Sequence, residues 1–347
     1  MSRLARPVAI FGVAFLAVAA WLTVTALGAV RAGPVAAIVD GLSTFTTIFL
    51  GIFIEAAPFL LIGTLGSGLV EVFFNKDDLH RLVPRNPVAG AIVGAMMGMF
   101  FPVCECGVVP LTRRLFKKGL PLSAGIAFLL AAPVMNPIVI ASTAAAFGLG
   151  PILFLRVGLT LIIAIVTGLV FATQKHPEKL LNAEAWAEIG GGSIDSPLPS
   201  GVAPMGEGLG VRARFPRLLT ITVDEFFEMG RYLVLGSLLA ALMQTLVPQS
   251  ALLAVSNGPV VSALALIALA VILSVCSTVD AFIALAFAGT FTTGSVLAFL
   301  VFGPMVDIKS VMLFQRVFKR KAVAYLVLLP LAMTLLFAVF MNLNPIF

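Results

Sequence analysis

Two cysteines and a carboxylate stand together at Cys104, Glu105 and Cys106, within Pro102-Val103-Cys104-Glu105-Cys106-Gly107-Val108-Val109-Pro110, at the end of a long apolar run. Soft thiolates suit Cu(I), Zn(II) or trivalent metalloids better than Mg, Ca or an organic anion. Residues two apart point to nearly opposite sides of an α-helix but share a face of extended backbone. The pair therefore acts on one ligand most easily where the helix unwinds, and Pro102, Gly107 and Pro110 supply the means. The third cysteine, Cys276, falls at the matching place in a second copy of the same pattern. If the two copies face each other, Cys104, Cys106 and Cys276 meet as candidate metal ligands around a trigonal soft centre. Three cysteines are too few for a disulfide framework, and thiols this close in sequence point to ligation or reactivity.

The carboxylates and amides form a second group. Glu55 and Glu228 hold equivalent positions near the middle of long apolar segments, where an acid is a candidate for proton or ion coupling. A structural role, such as pairing with Arg231, is the alternative for these glutamates. Asn136 and Asp307 each follow a proline, Pro133 and Pro304, by three residues, the spacing of polar groups at a broken helix facing a cavity. Asp307 has Lys309 two positions away as an alternative partner, and Glu105 has the headgroup region. Ser277, Thr278 and Asp280 continue the Cys276 motif and extend a polar lining. Met96, Met97 and Met99 read as packing, and His80 and His176 form no cluster with one another. The candidate substrate-binding residues are thus Cys104, Glu105, Cys106, Cys276, Asn136 and Asp307, with no catalytic set.

The elements that must hold these residues are membrane helices. The chain of 347 residues is 60% hydrophobic and 11% charged, with a mean hydropathy of +1.12, far more apolar surface than one soluble core buries. Basic residues outnumber acidic ones, 22 to 16, which in such a chain marks cytoplasmic loops and not nucleic-acid binding. Arg3 and Arg6 precede an apolar run from Val8 to Val30, too long for a signal peptide and read as an uncleaved first helix. Further segments run from Thr44 to Phe74, Pro87 to Leu111, Leu120 to Phe147 and Pro151 to Thr173. The stretch 174–216 is rich in Gly, Pro and charge and reads as a flexible cytoplasmic linker, with one short helix around Ala183 to Ile189.

The second half repeats the first. Glu55 and the Gly63-Thr64-Leu65 beyond it align with Glu228 and Gly236-Ser237-Leu238. Val103-Cys104 aligns with Val275-Cys276, and Ala127-Phe128-Leu129 before Pro133 aligns with Ala298-Phe299-Leu300 before Pro304, all at nearly constant offset. The divisions are 1–43, a first helix and periplasmic linker; 44–173, the first repeat; 174–216, the linker; and 217–347, the second repeat. Basic runs at Arg113 to Lys118 and Arg316 to Lys321 both fall inside only if Pro87 to Leu111 and Gly258 to Gly294 enter and return as broken hairpins. The repeats are then inverted, a construction of secondary transporters in which irregular backbone lines a cavity. The expected fold is therefore an all-α integral membrane protein, an inverted-repeat transporter with two re-entrant helical hairpins.

Cys104-Glu-Cys-Gly-Val-Val-Pro110, the basic run with Gly119 and Pro121, and Phe128-Leu-Leu-Ala-Ala-Pro133-Val-Met-Asn136-Pro137 resemble the signature of the YraQ/ArsP-type permease family. The resemblance extends to Cys276-Ser-Thr-Val-Asp280 and Gly303-Pro304-Met-Val-Asp307. It implies a permease that exports a thiophilic substrate, a trivalent organoarsenical in its best-described members and copper or zinc in others, with Cys104, Cys106 and Cys276 binding it. The chain carries no Gly-x4-Gly-Lys-Ser/Thr phosphate loop, so an ion gradient is the expected driving force and no cofactor is called for. A membrane thiol oxidoreductase using Cys104 and Cys106 is the rival reading, and its test is Cys104→Ser. The expected setting is the bacterial inner membrane with the N-terminus cytoplasmic. The expected partners are lipid and a small or soft-ion substrate, no nucleic acid, and conceivably further copies of the chain.

Overall fold

A computed structural model describes residues 34–73, 83–84, 86–101, 103–174, 180, 182, 211–246 and 258–344. The expected first helix at Val8–Val30, most of the linker with its short helix, and Pro102 lie outside the described residues. Twelve α-helices account for nearly all of the rest, with no strand among the described residues. Six are in the first half: α1 (Pro34–Phe73), α2 (Pro87–Phe100), α3 (Glu105–Lys117), α4 (Leu122–Met135), α5 (Pro137–Phe147) and α6 (Pro151–Ala172). Six follow in the second: α7 (Val211–Leu246), α8 (Pro259–Leu273), α9 (Asp280–Phe287), α10 (Thr293–Met305), α11 (Ile308–Val317) and α12 (Arg320–Leu343). The order of one long helix, four short ones and one long one occurs twice.

Among the described residues six stretches are long and apolar enough to cross a membrane, including Leu122–Phe147 and Thr293–Val317, each made of two helices joined at a break. These two broken stretches are the most deeply packed. The break in each follows from local chemistry. Asn136 and Asp307 are extended in backbone and cap the helices that follow: Asn136 Oδ1 accepts from Val139 N at 2.9 Å, and Asp307 Oδ1 accepts from Ser310 N at 2.6 Å. Asp307 N in turn donates to the Ser310 hydroxyl at 2.8 Å, closing a capping box. Pro137 at the first position of α5 has no N–H to lose.

The helix expected from Thr44 begins earlier, at Pro34, and runs 40 residues, about 60 Å, through Pro58 without ending. Pro87 to Leu111, expected to break, is two helices: α2 ends at Phe100 and α3 begins at Glu105.

Glycines bring the helices of the first half into contact. Gly90 faces Ser123, Gly94 lies against the Ala124 backbone and Gly98 against that of Ala131 and Ala132, so α2 runs beside α4 in the same direction. α3 packs on α1, where Gly63 and Gly107 meet backbone to backbone. In the second half Asn342 Nδ2 donates to Pro259 O at 2.8 Å and Ser295 Oγ at 3.1 Å, joining the starts of α8 and α10 to the end of α12. Gly303 meets the Ala270 side chain at the other end of the same pair, so α8 also runs parallel to α10. The halves join chiefly through α1 on α7, and also through α3 on α11 and α6 on α10 and α12.

Charged groups gather at the opposite end of α12 from Asn342. Glu228 of α7 accepts from Arg113 of α3 at 3.3 Å and from Arg316 of α11 at 2.6 Å. Arg114 pairs with Glu225 at 2.5 Å and lies 3.7 Å from Glu71, near the end of α1. The start of the inter-half segment is tied there too: Asn182 N donates to Val317 O, and Lys319 N to Leu180 O.

Candidate functional site

The backbone breaks first at Cys104. Val103 N turns back onto Phe101 O at 2.8 Å, and Cys104 is extended with φ −81° and ψ 176°. Its carbonyl then receives Gly107 N and Val108 N, starting α3. Cys106 therefore sits in the first turn of α3, a correction to the expectation that both cysteines lie on extended backbone. The pair still converges on one pocket, because an N-cap position and the first turn differ in direction from two residues of a regular helix. Pro110, four residues beyond Cys106, has no N–H, so the Cys106 carbonyl lacks its usual helical donor. Asn136 braces the break, its Nδ2 donating to Val103 O at 3.4 Å.

The second break is at Ser274, whose φ of 45° is the only left-handed backbone outside glycine among the described residues. It ends α8, and Cys276 follows on irregular backbone before α9 begins at Asp280. Thr278 Oγ1 donates to Cys276 Sγ at 3.5 Å.

The two breaks meet. Cys104, Cys106, Cys276, Glu105, Glu55 and Lys309 line one closely packed pocket with Ile52, Ala56 and Phe59, with no room left for a water molecule. All three cysteines are free and buried. Among the described residues no group of three His, Cys, Asp or Glu side chains is arranged to hold a metal ion, so the thiols are neighbours in one pocket and not a preformed trigonal site.

Lys309 is the residue that sequence reasoning treated only as a partner for Asp307. It is 2% exposed, and its Nζ donates to the Ser274 carbonyl at 2.6 Å. The same atom lies 3.6 Å from Glu105 Oε1 and 3.5 Å from Asp307 Oδ2. Thus one ammonium on α11 gathers a carboxylate from the first break, a carbonyl from the second and the cap of its own helix. Glu105 is inside the pocket and not at the headgroup level.

The two coupling candidates part company. Glu55 lines the thiol pocket, whereas Glu228 belongs to the charged cluster with Arg113 and Arg316. Asn136 and Asp307 stand at the helix breaks beside the pocket without lining it.

A buried ion pair was also missed. Arg156 of α6, 1% exposed, donates to Asp280 Oδ1 at 3.1 Å and Oδ2 at 2.6 Å, and to Thr143 Oγ1 at 2.8 Å. An arginine in the apolar run from Pro151 to Thr173 was the available signal, since such a charge requires a partner.

UPF0718 protein YcgR of Bacillus subtilis is 42% identical over 295 residues, 84% of this chain and 95% of that protein. A Streptococcus mutans protein named as a two-component membrane permease complex subunit is 38% identical over 277 residues, 79% of this chain and 87% of its own. UPF0718 protein MJ0584 of Methanocaldococcus jannaschii is 29% identical over 112 residues, about a third of either chain. No solved structure matches. The family profile described as a predicted permease, ArsP_1, matches residues 41–343. With six membrane-length apolar stretches and that match over most of its length, the chain is a multi-pass membrane protein of the ArsP_1 permease family.

Proposed function

We propose that this protein is a gradient-driven secondary transporter that exports a thiophilic substrate, a trivalent organoarsenical or a soft metal ion, through the pocket at the two helix breaks. The observation that carries this reading is that three buried free thiols, two from the first half and one from the second, line one pocket with acids and Lys309. Soft donors at the meeting of two irregular segments are the chemistry that recognises a soft centre. Cys104, Cys106 and Cys276 bind the substrate, and Glu105 supplies charge. Asn136 and Asp307 hold the breaks open beside it. Glu55, in the same pocket, is the coupling acid. Glu228 contributes by closing the charged end over Arg113 and Arg316.

Inverted repeats of 44–173 and 217–347, separated by the cytoplasmic linker, give the framework. Support comes from direction. The α2–α3 pair opens toward the charged end, where α3 finishes and α4 starts, while α8 opens toward the Asn342 end. Both basic runs gather at the charged end, which the positive-inside rule makes cytoplasmic, and the two hairpins are then re-entrant from opposite sides. A bacterial inner-membrane location with a cytoplasmic N-terminus fits this orientation. The name of the Streptococcus relative suggests a second membrane subunit as a partner, beside self-association.

Expression in a bacterial host lacking its own efflux tests the reading. Wild-type protein should protect against methylated trivalent arsenic, copper or zinc, and Cys104→Ser, Cys106→Ser and Cys276→Ser should each lose protection at equal membrane abundance. No protection by the wild type against any of the three defeats soft-substrate export. The two thiols Cys104 and Cys106 in one pocket favour thiol–disulfide exchange as the second reading. Retained transport with lost thiol exchange in Cys104→Ser would select it.

A further inference from the structure

Lys309 does more than satisfy a helix cap. Its Nζ sits at the meeting point of a backbone carbonyl, Ser274 O at 2.6 Å, and two carboxylates, Asp307 Oδ2 at 3.5 Å and Glu105 Oε1 at 3.6 Å. The carboxylate contacts are longer than a good charged hydrogen bond. Glu105 Oε2 and Asp307 Oδ2 are buried with no hydrogen-bond partner. A carbonyl released at a broken helix, together with incompletely satisfied carboxylates, is the donor set that membrane transporters present to a cation. In this molecule that position holds an ammonium on a four-carbon tether, beside three thiols.

The charges of the pocket also matter. Glu55 and Glu105 line it, Asp307 stands beside it, and Lys309 is its one cation. With all four ionised, acids exceed bases, so the pocket repels an oxyanion and attracts positive charge. A cation held by the thiols must still share the region with the Lys309 ammonium, which repels it as long as it faces Glu105.

We propose that Lys309 is a tethered competitor of the transported cation: its ammonium occupies the carboxylate site when the pocket is empty, and a soft divalent cation bound by the thiols displaces it from Glu105. This rests on the soft-substrate reading of the same pocket and narrows it to a positively charged cargo. Two M–S bonds form on cysteines that each release a proton to water, and the ion takes the Glu105 carboxylate as a third ligand, so it competes with the ammonium for that oxygen and the tether moves without any covalent change. A neutral trivalent arsenical instead joins the same thiols with release of water and has no electrostatic quarrel with Lys309.

The test uses purified full-length protein in detergent with two probes, Zn²⁺ and phenylarsine oxide. Lys309→Gln removes the charge but keeps a donor for the Ser274 carbonyl, and Lys309→Arg keeps the charge. Zn²⁺ should bind Lys309→Gln at least tenfold more tightly than wild type, the equivalent of about 1.4 kcal/mol. Lys309→Arg should bind as wild type does, and phenylarsine oxide should bind all three alike. Equal or weaker Zn²⁺ binding by folded Lys309→Gln overturns the competitor role. If phenylarsine oxide or Zn²⁺ still binds through the cysteines in that case, the soft-substrate reading survives alone. Binding of neither probe to wild type removes both. Should Lys309→Gln fail to fold, acylation of Lys309 in wild type, read by mass spectrometry, decides: added Zn²⁺ should raise its labelling, and unchanged labelling overturns the proposal.

Discussion

Arg156 and Asp280 face each other through two contacts, 3.1 and 2.6 Å long, and so join α6 of the first half to α9 of the second inside the protein. Removing one partner of a buried pair leaves an uncompensated charge, at a cost of about 3–5 kcal/mol, whereas replacing both with apolar groups is often near neutral. Asp280→Ala and Arg156→Met should each lower the melting temperature sharply in detergent. Arg156→Met combined with Asp280→Leu should recover most of the loss. Additive damage in the double variant would show that the pair does not act as a unit.

The Arg156–Asp280 pair lies beyond the Cys276 break and the Glu228 cluster at the Arg316 end of α11. Arg316 lies two helical turns beyond Lys309 on α11, while Asp280 follows Cys276 by four residues in the other direction. Glu228→Gln should raise labelling of Cys106 by a membrane-impermeant thiol reagent roughly tenfold from the charged side, the equivalent of about 1.4 kcal/mol. Labelling from the opposite side should not change. Equal acceleration from both sides would mean a loosened protein and not an opened end.

Gly63 and Gly107 bring α1 and α3 together with no side chain between them. A Cβ on Gly63 would overlap the Gly107 backbone, and one on Gly107 would lie 2.9 Å from Gly63 Cα. Either Gly→Ala change should destabilise the protein by about 1–3 kcal/mol through overpacking, and shift Cys106 with it. Thermal melting together with Cys106 labelling measures both effects. Gly66→Ala, where a Cβ meets nothing within 4 Å, is the control.

Asn136 caps α5 and also holds the Val103 carbonyl at the first break. Asn136→Ala should cost about 1–2 kcal/mol from the lost cap and weaken thiol-dependent binding. Asn136→Asp retains the cap acceptor but not the donor to Val103, so it should separate the two losses. Stability would recover in Asn136→Asp while binding stays weak.

Much of this arrangement was legible before any coordinates. The repeated Pro-x-x-Asn136 and Pro-x-x-Asp307 spacings announced the two helix breaks, since a proline and a capping side chain impose them locally. The position of the Cys104 break followed from Gly107 and the flanking prolines, although α3 starts early enough to take in Cys106. Lys309 was not legible as a centre of charge, because its role depends on Glu105 and Ser274, more than thirty residues away in either case. Glu55 and Glu228 looked equivalent because the alignment sees only their own helices. α1 packs on α3 where α7 packs on α11, so their surroundings differ. Arg156 and Asp280 could each have been suspected, but only the fold pairs them.

The left-handed backbone at Ser274 gives the site one donor that is not written in any side chain. The carbonyl that anchors Lys309 persists through any substitution at 274 that keeps this conformation, and Gly and Asn adopt it most readily. The thiols and acids of the pocket are thus open to change by ordinary point substitution, whereas the anchor is inherited as a shape. Sequence variation can retune the side chains of the pocket without dislodging the carbonyl that holds Lys309.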